Sequence, residues 1–420
     1  MFVRSGMLLR SRASPVLQTC LRLQTASTTV SEKLCDEPAK QLRSPPHDIV
    51  LNQIRHDILF KDTYKHRITS SAKPRKEILK GILNILSQSD PPTRQQLKAL
   101  PQQELINFIQ EIARVAVAEE KLDTDLMQLV EDECCFRAKN MDSVQLLLVA
   151  DAFFVMRYWY QTSCYYSAMF REFERRWMHM TIQKEDVVQL ATCIVMCRRF
   201  PLLLVRKIEQ FLCSNMDKFS ASELSVICSA FFMSNTSFRN VELMDKLADA
   251  VLHSVPSGEL KAYQLGNILK ALRHAHFAKL SFCDSLGNLL SNSPALWAEF
   301  TLLDLANVAF AYASLRVSHP ALFAGISSHA VKLIQNRASM RLKDIGRLVW
   351  SFALLREPLD NIVQNQLLFI LRRDIDLMEE FSESFIEALL GLAMRKKYPV
   401  SLLQRLFLTK FLTQKHGNGL

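Results

Sequence analysis

The sequence predicts an all-α fold, a right-handed α-solenoid built from helical hairpins of about 40 residues. Three observations support this prediction. Glycine (10) and proline (14) are scarce among the 420 residues, so turn residues are few and helix formers dominate. Apolar residues recur at helical spacing rather than in strand-like alternation. Finally, one helix-forming segment is repeated along most of the chain.

The repeat is defined by one apolar position in each unit, which we call the anchor. The eight anchors are Leu105, Leu146, Leu190, Leu224, Leu265, Leu305, Ile345 and Phe385, separated by 41, 44, 34, 41, 40, 40 and 40 residues. A small residue follows six positions later in six units: Ala152, Ala230, Ala271, Ala311, Ser351 and Gly391. The next residue in those units is apolar or aromatic: Phe153, Phe231, Leu272, Tyr312, Phe352 and Leu392. Because these offsets have helical spacing, the small residue is predicted to mark the close approach of a neighbouring helix.

Each unit is predicted to contain two helices. Polar pairs four and one residues before the anchor are typical of helix starts: Asp142 with Gln145, Asp186 with Gln189, Ser220 with Glu223, and Thr301 with Asp304. A second apolar helix follows, as in the segments that begin at Val241 and Pro320. One hairpin cannot bury its apolar faces alone, so neighbouring units are expected to stack and to present a surface suited to extended ligands.

The segments outside the array differ in composition. Residues 1–31 carry four arginines, nine serines or threonines and no acid, which predicts a mitochondrial transit peptide; a disordered basic tail is the alternative. Residues 32–47 are interpreted as a disordered linker, 48–99 as an N-terminal helical segment, 100–410 as the repeat array and 411–420 as a C-terminal tail. No stretch reaches the roughly 18 apolar residues that a membrane span requires, so the mature protein is expected in the mitochondrial matrix.

The net charge of +10 is concentrated near the N-terminus. Residues 1–80 hold 15 basic and 7 acidic residues, whereas the rest of the chain is nearly balanced. Net charge is therefore weak evidence that the array binds a polyanion. The ten cysteines are scattered and show no C-x-x-C spacing, which favours buried, reduced thiols. His274 and His276 are interpreted as turn or surface residues, so no metal and no cofactor are assigned.

The late repeats carry the most characteristic sequences. The segments LDLANVAFAYASL, residues 303–315, and KDIGRLVWSFALL, residues 343–355, resemble the helical-repeat region of the FAST-kinase-domain family. These are organellar proteins similar to octotricopeptide-repeat RNA binders, and the resemblance covers roughly residues 100–410. It implies post-transcriptional handling of mitochondrial RNA, in its stability, processing or translation.

Family members typically continue into FAST subdomains and a C-terminal RAP domain, and neither is evident in this sequence. No activity of those domains is carried over. The sequence also lacks the glycine-rich loop, the H-R-D loop and the D-F-G motif of protein kinases. The expectation is therefore a binding protein and not an enzyme.

Basic residues recur shortly after the first helix of several units. Arg157, Arg316, Arg356 and Lys396 each lie eleven residues past an anchor, and Arg199 and Arg273 lie slightly earlier in their units. One cation per unit would form a column that follows successive phosphates of an RNA strand. The alternative is that cations favour helix C-termini, where carbonyl groups are unpaired. Both explanations can hold together.

Arg347 is a candidate for contact with RNA bases. It lies two residues past its anchor, where earlier units carry Asn267 and Asn307, and polar residues at such positions read base edges in one-base-per-repeat proteins. Leu148 and Val226 occupy the same place in other units and argue against a complete code.

An aromatic cluster surrounds Arg157. Its residues Tyr158, Trp159 and Tyr160 are candidates for stacking on unpaired bases, and Tyr165 and Tyr166 follow. The alternative is that the cluster packs between the helices of its own hairpin.

Two other charged segments have simpler interpretations. Residues 65–76 hold five cations and no acid, and are either a solvated linker face or an arm that contacts phosphates. Arg171, Arg175 and Arg176 alternate with Glu172 and Glu174, which predicts an ion-paired helix face.

The leading hypothesis is a matrix protein that binds single-stranded mitochondrial RNA. The mitochondrial ribosome and RNA-granule proteins are further expected partners. The alternative is a protein-binding scaffold for assembly of a mitochondrial complex, which the near-neutral charge of residues 81–420 favours.

Overall fold

A computed structural model describes residues 94–116, 124–155, 163–179, 182–336, 340–378 and 381–408. Within these ranges every regular element is a helix, which confirms the all-α prediction. The hand of the array stays a prediction. The predicted transit peptide, the linker and most of the N-terminal helical segment lie outside the described residues. The chain divides into two compact units, residues 1–204 and 205–420.

The first unit contains two interleaved series of helices. They are α1 (Arg94–Ala99), α2 (Gln102–Ala116), α3 (Thr124–Arg137), α4 (Ser143–Val155), α5 (Cys164–Arg176) and α6 (Lys184–Cys197), followed by α7 (Leu202–Asn215), which lies mostly in the second unit. Helix α4 contacts α2 and α6, whereas α3 contacts α1 and α5. Every other helix therefore packs side by side, as in stacked hairpins.

The second unit continues the same alternation. Its helices are α8 (Ala221–Met233), α9 (Val241–Ser257), α10 (Ala262–His274), α11 (Leu280–Ser291), α12 (Pro294–Glu299), α13 (Leu302–Leu315), α14 (Pro320–Gln335), α15 (Leu342–Leu355), α16 (Asn361–Arg373), α17 (Ser382–Met394) and α18 (Val400–Leu408). The first helices of the hairpins, α8, α10, α13, α15 and α17, contact one another in that order. The second helices α9, α11, α14 and α16 do the same.

The anchors form the centre of this packing, since each of the eight is 3% exposed or less. Burying a Leu, Ile or Phe side chain stabilises the fold by about 1.5–3 kcal/mol. The small residues are buried too, and Gly391 shows why they are small. A Cβ added at Gly391 would lie 2.9 Å from the Trp350 backbone of α15. The predicted close approach of a neighbouring helix is thus confirmed at this position.

Three of the four predicted helix starts are confirmed. In α8, Ser220 Oγ accepts a hydrogen bond from Glu223 N (3.3 Å), and the Glu223 carboxylate accepts one from Ser220 N (2.8 Å). Thr301 with Asp304 and Asp142 with Gln145 form the same reciprocal pairs. The prediction for α6 was wrong by three residues.

Helix α6 begins at Lys184, and Asp186 lies in its first turn rather than at its N-cap. The Asp186 carboxylate accepts a hydrogen bond from Gln183 N at 3.1 Å. Gln189, which the sequence placed in the first turn, is instead buried and donates to Asp151 of α4 at 3.1 Å. A helix-helix hydrogen bond thus explains the residue that local capping rules misassigned.

Two arginines join successive second helices in the first unit. Arg137 of α3 donates to the carbonyls of Leu97 (2.8 Å) and Leu100 (2.7 Å) at the end of α1. Arg176 of α5 donates in the same way to Ala138 O (3.2 Å), at the end of α3. The guanidinium groups thus add charge-assisted hydrogen bonds to carbonyl groups at the helix ends and hold neighbouring helices together.

The predicted ion-paired face of α5 is confirmed, because Glu172 pairs with Arg175 at 2.6 Å and with Arg176 at 2.8 Å. The described cysteines are free thiols; most are buried, but Cys164 is exposed. No helix in the described ranges is both long enough and apolar enough to cross a bilayer.

Candidate nucleic-acid interface

The first helices of the second unit all end in the same turn. The residue eleven positions past each anchor has a left-handed backbone: Asn235 (φ 54°), His276 (φ 55°), Arg316 (φ 57°), Arg356 (φ 59°) and Lys396 (φ 60°). These residues are 41, 40, 40 and 40 positions apart. The repeated feature is therefore a backbone conformation that also sets the position of a side chain.

The hydrogen bonds of this turn are those of a Schellman motif. After α13, Arg316 N donates to Ala313 O (3.1 Å) and Val317 N donates to Tyr312 O (3.0 Å). The same two bonds, at 2.9–3.2 Å, close each of the other four turns. They satisfy carbonyls that the helix leaves unpaired. The second acceptor is the apolar or aromatic residue seven positions past the anchor, so the sequence repeat encodes the turn.

A left-handed backbone normally favours glycine. For other residues it costs about 1–2 kcal/mol, and Asn is the usual exception. Three consecutive turns nonetheless place a long cation there: Arg316, Arg356 and Lys396, all exposed to solvent. We call these three residues the cap row. Strained residues concentrate at functional sites, which makes the cap row a candidate binding surface.

Hydrogen bonds between successive turns hold the cap row in place. Ser318, two residues after Arg316, donates to the Glu357 carboxylate of the next turn. Arg395 Nη1 of the following turn donates to Glu357 O at 3.0 Å. Glu357 and Arg395 also line a surface cleft of about 470 Å³, together with Arg356 and Lys397. The cations are thus presented on a connected backbone rather than on separate mobile loops.

In the described part of the first unit, helix α6 also ends in a left-handed residue, but with a different hydrogen bond and a shorter spacing from its anchor. The sequence selected Arg199, and this residue is exposed. The left-handed residue is its neighbour Arg198 (φ 53°), whose N–H donates to Ile194 O at 2.8 Å. The corresponding turn that contains Arg157 lies outside the described residues, as do the stacking candidates Tyr158, Trp159 and Tyr160.

Arg273 and Arg347 do not belong to the cap row. They lie on the faces of α10 and α15, and both guanidinium groups contact the ring of Phe310 from α13, at 4.6 and 4.5 Å from its centroid. Arg273 also lies 5.8 Å from the ring of Phe232 in α8. Cation–π contacts of this kind contribute about 0.5–2 kcal/mol each. The structure therefore joins two sequence candidates through an aromatic residue that sequence analysis missed.

Two lysines extend this group. Lys270 lies one turn before Arg273 on α10, and Lys343 lies one turn before Arg347 on α15. Burial is the main cause that lowers the pKa of Lys270 to about 8; the nearby Asp304 opposes this shift and Arg347 adds to it. Burial and the nearby Arg347 and Arg341 also lower the pKa of Lys343. We call Lys270, Arg273, Lys343 and Arg347 the face cluster.

The asparagines that precede Arg347 in the repeat are not available to bases. Asn267 is 3% exposed and Asn307 is 6% exposed. Asn267 Nδ2 donates to Ser225 Oγ of α8 at 3.3 Å, and Asn307 lies beside Gly266. The base-reading interpretation of these two asparagines is therefore wrong, because both are buried between adjacent first helices, where Asn267 forms an interhelical hydrogen bond.

The second half of the aromatic cluster is part of the core. Tyr165 and Tyr166 are at most 2% exposed, and their hydroxyls donate to Leu146 O and Ala150 O of α4, each at 2.9 Å. Burial raises the pKa of both tyrosines. His274 has a structural contact as well, since its ring lies within hydrogen-bond distance of Ser237 (3.1 Å) and Asn235 (3.0 Å) in the preceding turn.

These observations define a helical-repeat protein with two groups of cations, one at the turns and one on the first-helix faces. No family model matches the chain. It is similar to FAST kinase domain-containing protein 5, mitochondrial, of Pongo abelii, at 24% identity over 73% of this chain. The Homo sapiens protein of that name is 23% identical over 72%, and the Macaca fascicularis protein 24% over 72%.

This homology supports membership of the FAST-kinase-like family, in agreement with the resemblance of the repeat sequences. The match covers 38% of the length of each of these relatives.

Proposed function

We propose that this protein binds mitochondrial RNA in the matrix and acts in the stability, processing or translation of mitochondrial transcripts. The cap row is the observation that carries the proposal. Three exposed cations recur once per hairpin, each with a left-handed backbone that costs a non-glycine residue about 1–2 kcal/mol. The mitochondrial location of the named relatives supports the compartment.

A row of this kind suits the backbone of a single strand. Each cation sits at the end of a first helix, and adjacent packed helices lie about 8–10 Å apart. This spacing is close to one or two nucleotides of an extended strand. The row would supply affinity that does not depend on sequence, because Arg and Lys neutralise phosphates and release counterions.

Binding of a single-stranded oligonucleotide tests the proposal, measured by fluorescence anisotropy over a range of salt concentrations. The variant reverses the charge of the cap row with Arg316→Glu, Arg356→Glu and Lys396→Glu. We expect the affinity to fall by at least tenfold and the salt dependence to weaken. Each phosphate contact contributes about 0.7 to the logarithmic salt slope of a single strand.

A matched control changes the net charge equally at another surface. Arg206, Lys332 and Arg372 are exposed on the second helices α7, α14 and α16. Their replacement by Glu removes the same charge without touching the turns. RNA affinity should then change less than threefold. Equal losses in the two variants would indicate a general charge effect and would contradict the assignment of the cap row.

The same measurement also tests the alternative function, a protein-binding scaffold. Leu390 and Met394 lie one turn apart on α17 and are about half exposed (52% and 49%), and Tyr398 is 61% exposed. Exposed apolar residues of this kind favour contact with another protein. If the full chain showed no measurable affinity for single-stranded RNA, the scaffold function would replace the proposed one.

A further inference from the structure

The face cluster is a concentration of positive charge with little compensation. Its four cations come from two first helices, α10 and α15, on either side of α13. Among the described residues, Lys270 has only a long hydrogen bond to Asn267 Oδ1 (3.5 Å), and Arg273 has aromatic contacts but no ion pair. Cations that are partly desolvated are normally paired.

The nearby carboxylates compensate this charge only in part. Asp304 accepts hydrogen bonds from Thr301 through Oδ2 in the capping box of α13, and its buried Oδ1 has no hydrogen-bond partner among the described residues. Burial raises the pKa of Asp304. Asp344 is held by Arg341 through two bonds of 2.7 and 2.8 Å. Neither carboxylate forms an ion pair with Lys270 in the described part of the chain.

Arg347 has the weakest pairing of the cluster. Its Nε lies 3.7 Å from Glu387 Oε1 of α17, which is close enough for an ion pair but too long for a hydrogen bond. The Nε atom is buried and has no hydrogen-bond partner among the described residues. A buried donor of a charged group without a partner costs about 1–3 kcal/mol, so the pairing with Glu387 leaves the charge of Arg347 incompletely satisfied.

The aromatic residues hold the guanidinium groups in fixed positions. The Phe310 ring contacts both Arg273 and Arg347, and it lies 5.5 Å from the ring of Trp350 on α15. Phe310 and Trp350 are both half-buried. Guanidinium groups fixed in this way lose little side-chain entropy when they bind an anion, because they are already ordered.

We propose that Lys270, Arg273 and Arg347 bind a phosphate of the RNA strand, in a site on the first-helix faces that is separate from the cap row. The inference rests on the proposed function, because the phosphate is assigned to bound RNA. It also predicts a contact that binding through the cap row alone does not require. Contact through the turns alone would leave the first-helix faces empty, whereas this site brings the strand onto them.

The site gives RNA binding a specific pH dependence. Lys270, whose pKa is about 8, must be protonated to attract a phosphate. The charged groups that face it are Asp304 from α13, Asp344 and Arg347 from α15, and Arg273 of its own helix. Affinity should therefore fall about tenfold between about pH 7 and about pH 9, as Lys270 loses its proton. Arg273, with a pKa of about 10, stays charged over this range.

The test measures affinity against pH for the full chain and two variants. The oligonucleotide contains only adenine and cytosine, whose bases lose no proton in this range. Lys270→Arg should bind as the native protein does near pH 7 and should lose the pH dependence. Lys270→Met should bind about tenfold more weakly near pH 7 and should also be independent of pH. Melting curves of each variant establish that it is folded.

The outcomes separate this site from the proposed function. If RNA binds but both variants keep the native affinity and pH profile, the face cluster is not a phosphate site, and the cap row is unaffected. If RNA does not bind at all, the proposed function fails. Inorganic pyrophosphate then tests the site directly, because it should raise the Tm of the native chain and not that of the Arg347→Met variant. An equal effect on both proteins would overturn the proposal.

Discussion

Replacing the cap row with glycine should make the protein more stable and impair its binding of RNA. The variant carries Arg316→Gly, Arg356→Gly and Lys396→Gly. Each change relieves a left-handed backbone strain of about 1–2 kcal/mol. Glycine also increases the entropy of the unfolded chain, which offsets about 0.5–1 kcal/mol of this gain per site. The net gain is about 0.5–1 kcal/mol per site, or about 2 kcal/mol for the three.

The same variant removes three cations from the proposed interface. Three phosphate contacts contribute about 2 to the logarithmic salt slope, which corresponds to about a 50-fold loss of affinity near 0.15 M salt. The assays are thermal unfolding, with an expected rise in Tm of roughly 4–8 °C, and anisotropy titration with a single-stranded oligonucleotide at several salt concentrations. Few surface substitutions raise stability and lower affinity together, so misfolding could not explain the result.

His276→Gly is the matched control. It relieves the same strain in the same turn of a neighbouring hairpin (φ 55°) without removing a residue of the cap row. We expect a gain in stability and an unchanged affinity. Unchanged affinity of the triple variant would refute the assignment of the interface. A fall in its stability would refute the argument from backbone strain.

Three further predictions follow from the packing. Arg176→Ala should destabilise the first unit by about 2–3 kcal/mol in urea unfolding, because it removes the charged hydrogen bonds from the guanidinium group to the carbonyls of Ala138, Lys139 and Met141. Arg175→Ala is the control: it breaks an exposed ion pair and should cost under about 1 kcal/mol. Gly391→Ala should lower the Tm although alanine favours helices, because its Cβ would meet the Trp350 backbone; a higher Tm would contradict the close approach. Lys270→Met should raise the free energy of unfolding near pH 7, because the pKa of Lys270 is lower in the folded protein than in the unfolded chain. The gain should shrink above about pH 8, as the folded native protein loses this proton. A gain that does not depend on pH would exclude this cause.

The helices could be predicted from the sequence because their signals are local. The anchors, the capping pairs and the small residues lie within a few turns of one another, and the second helices that begin at Val241 and Pro320 start where the pattern placed them. The error at Asp186 has a physical cause. Gln189 resembles a residue of a capping pair, but it is used in a hydrogen bond to Asp151, 38 residues earlier.

The candidate site was only partly predictable. Recurrence at eleven residues past the anchor selected Arg316, Arg356 and Lys396, but not their left-handed backbone, because the glycine that usually signals such a cap is absent. The same spacing includes His276, which was considered only as part of a histidine pair.

The face cluster was not predicted as a unit. Arg273 and Arg347 meet only through Phe310, and the three residues come from three different hairpins. Their contact depends on the register between neighbouring units, which sequence spacing alone does not specify. Asn267 was misinterpreted for the same reason, because a position between packed helices cannot be distinguished from an exposed one without that register.

The central claim is tested most directly inside mitochondria, by crosslinking the tagged protein to RNA and sequencing the RNA that it retains. The triple glycine variant of the cap row is the comparison, since it is expected to fold at least as well as the native chain. The account predicts discrete mitochondrial transcripts bound by the native protein and strongly depleted from the variant. Equal recovery of the same transcripts by both proteins would contradict it.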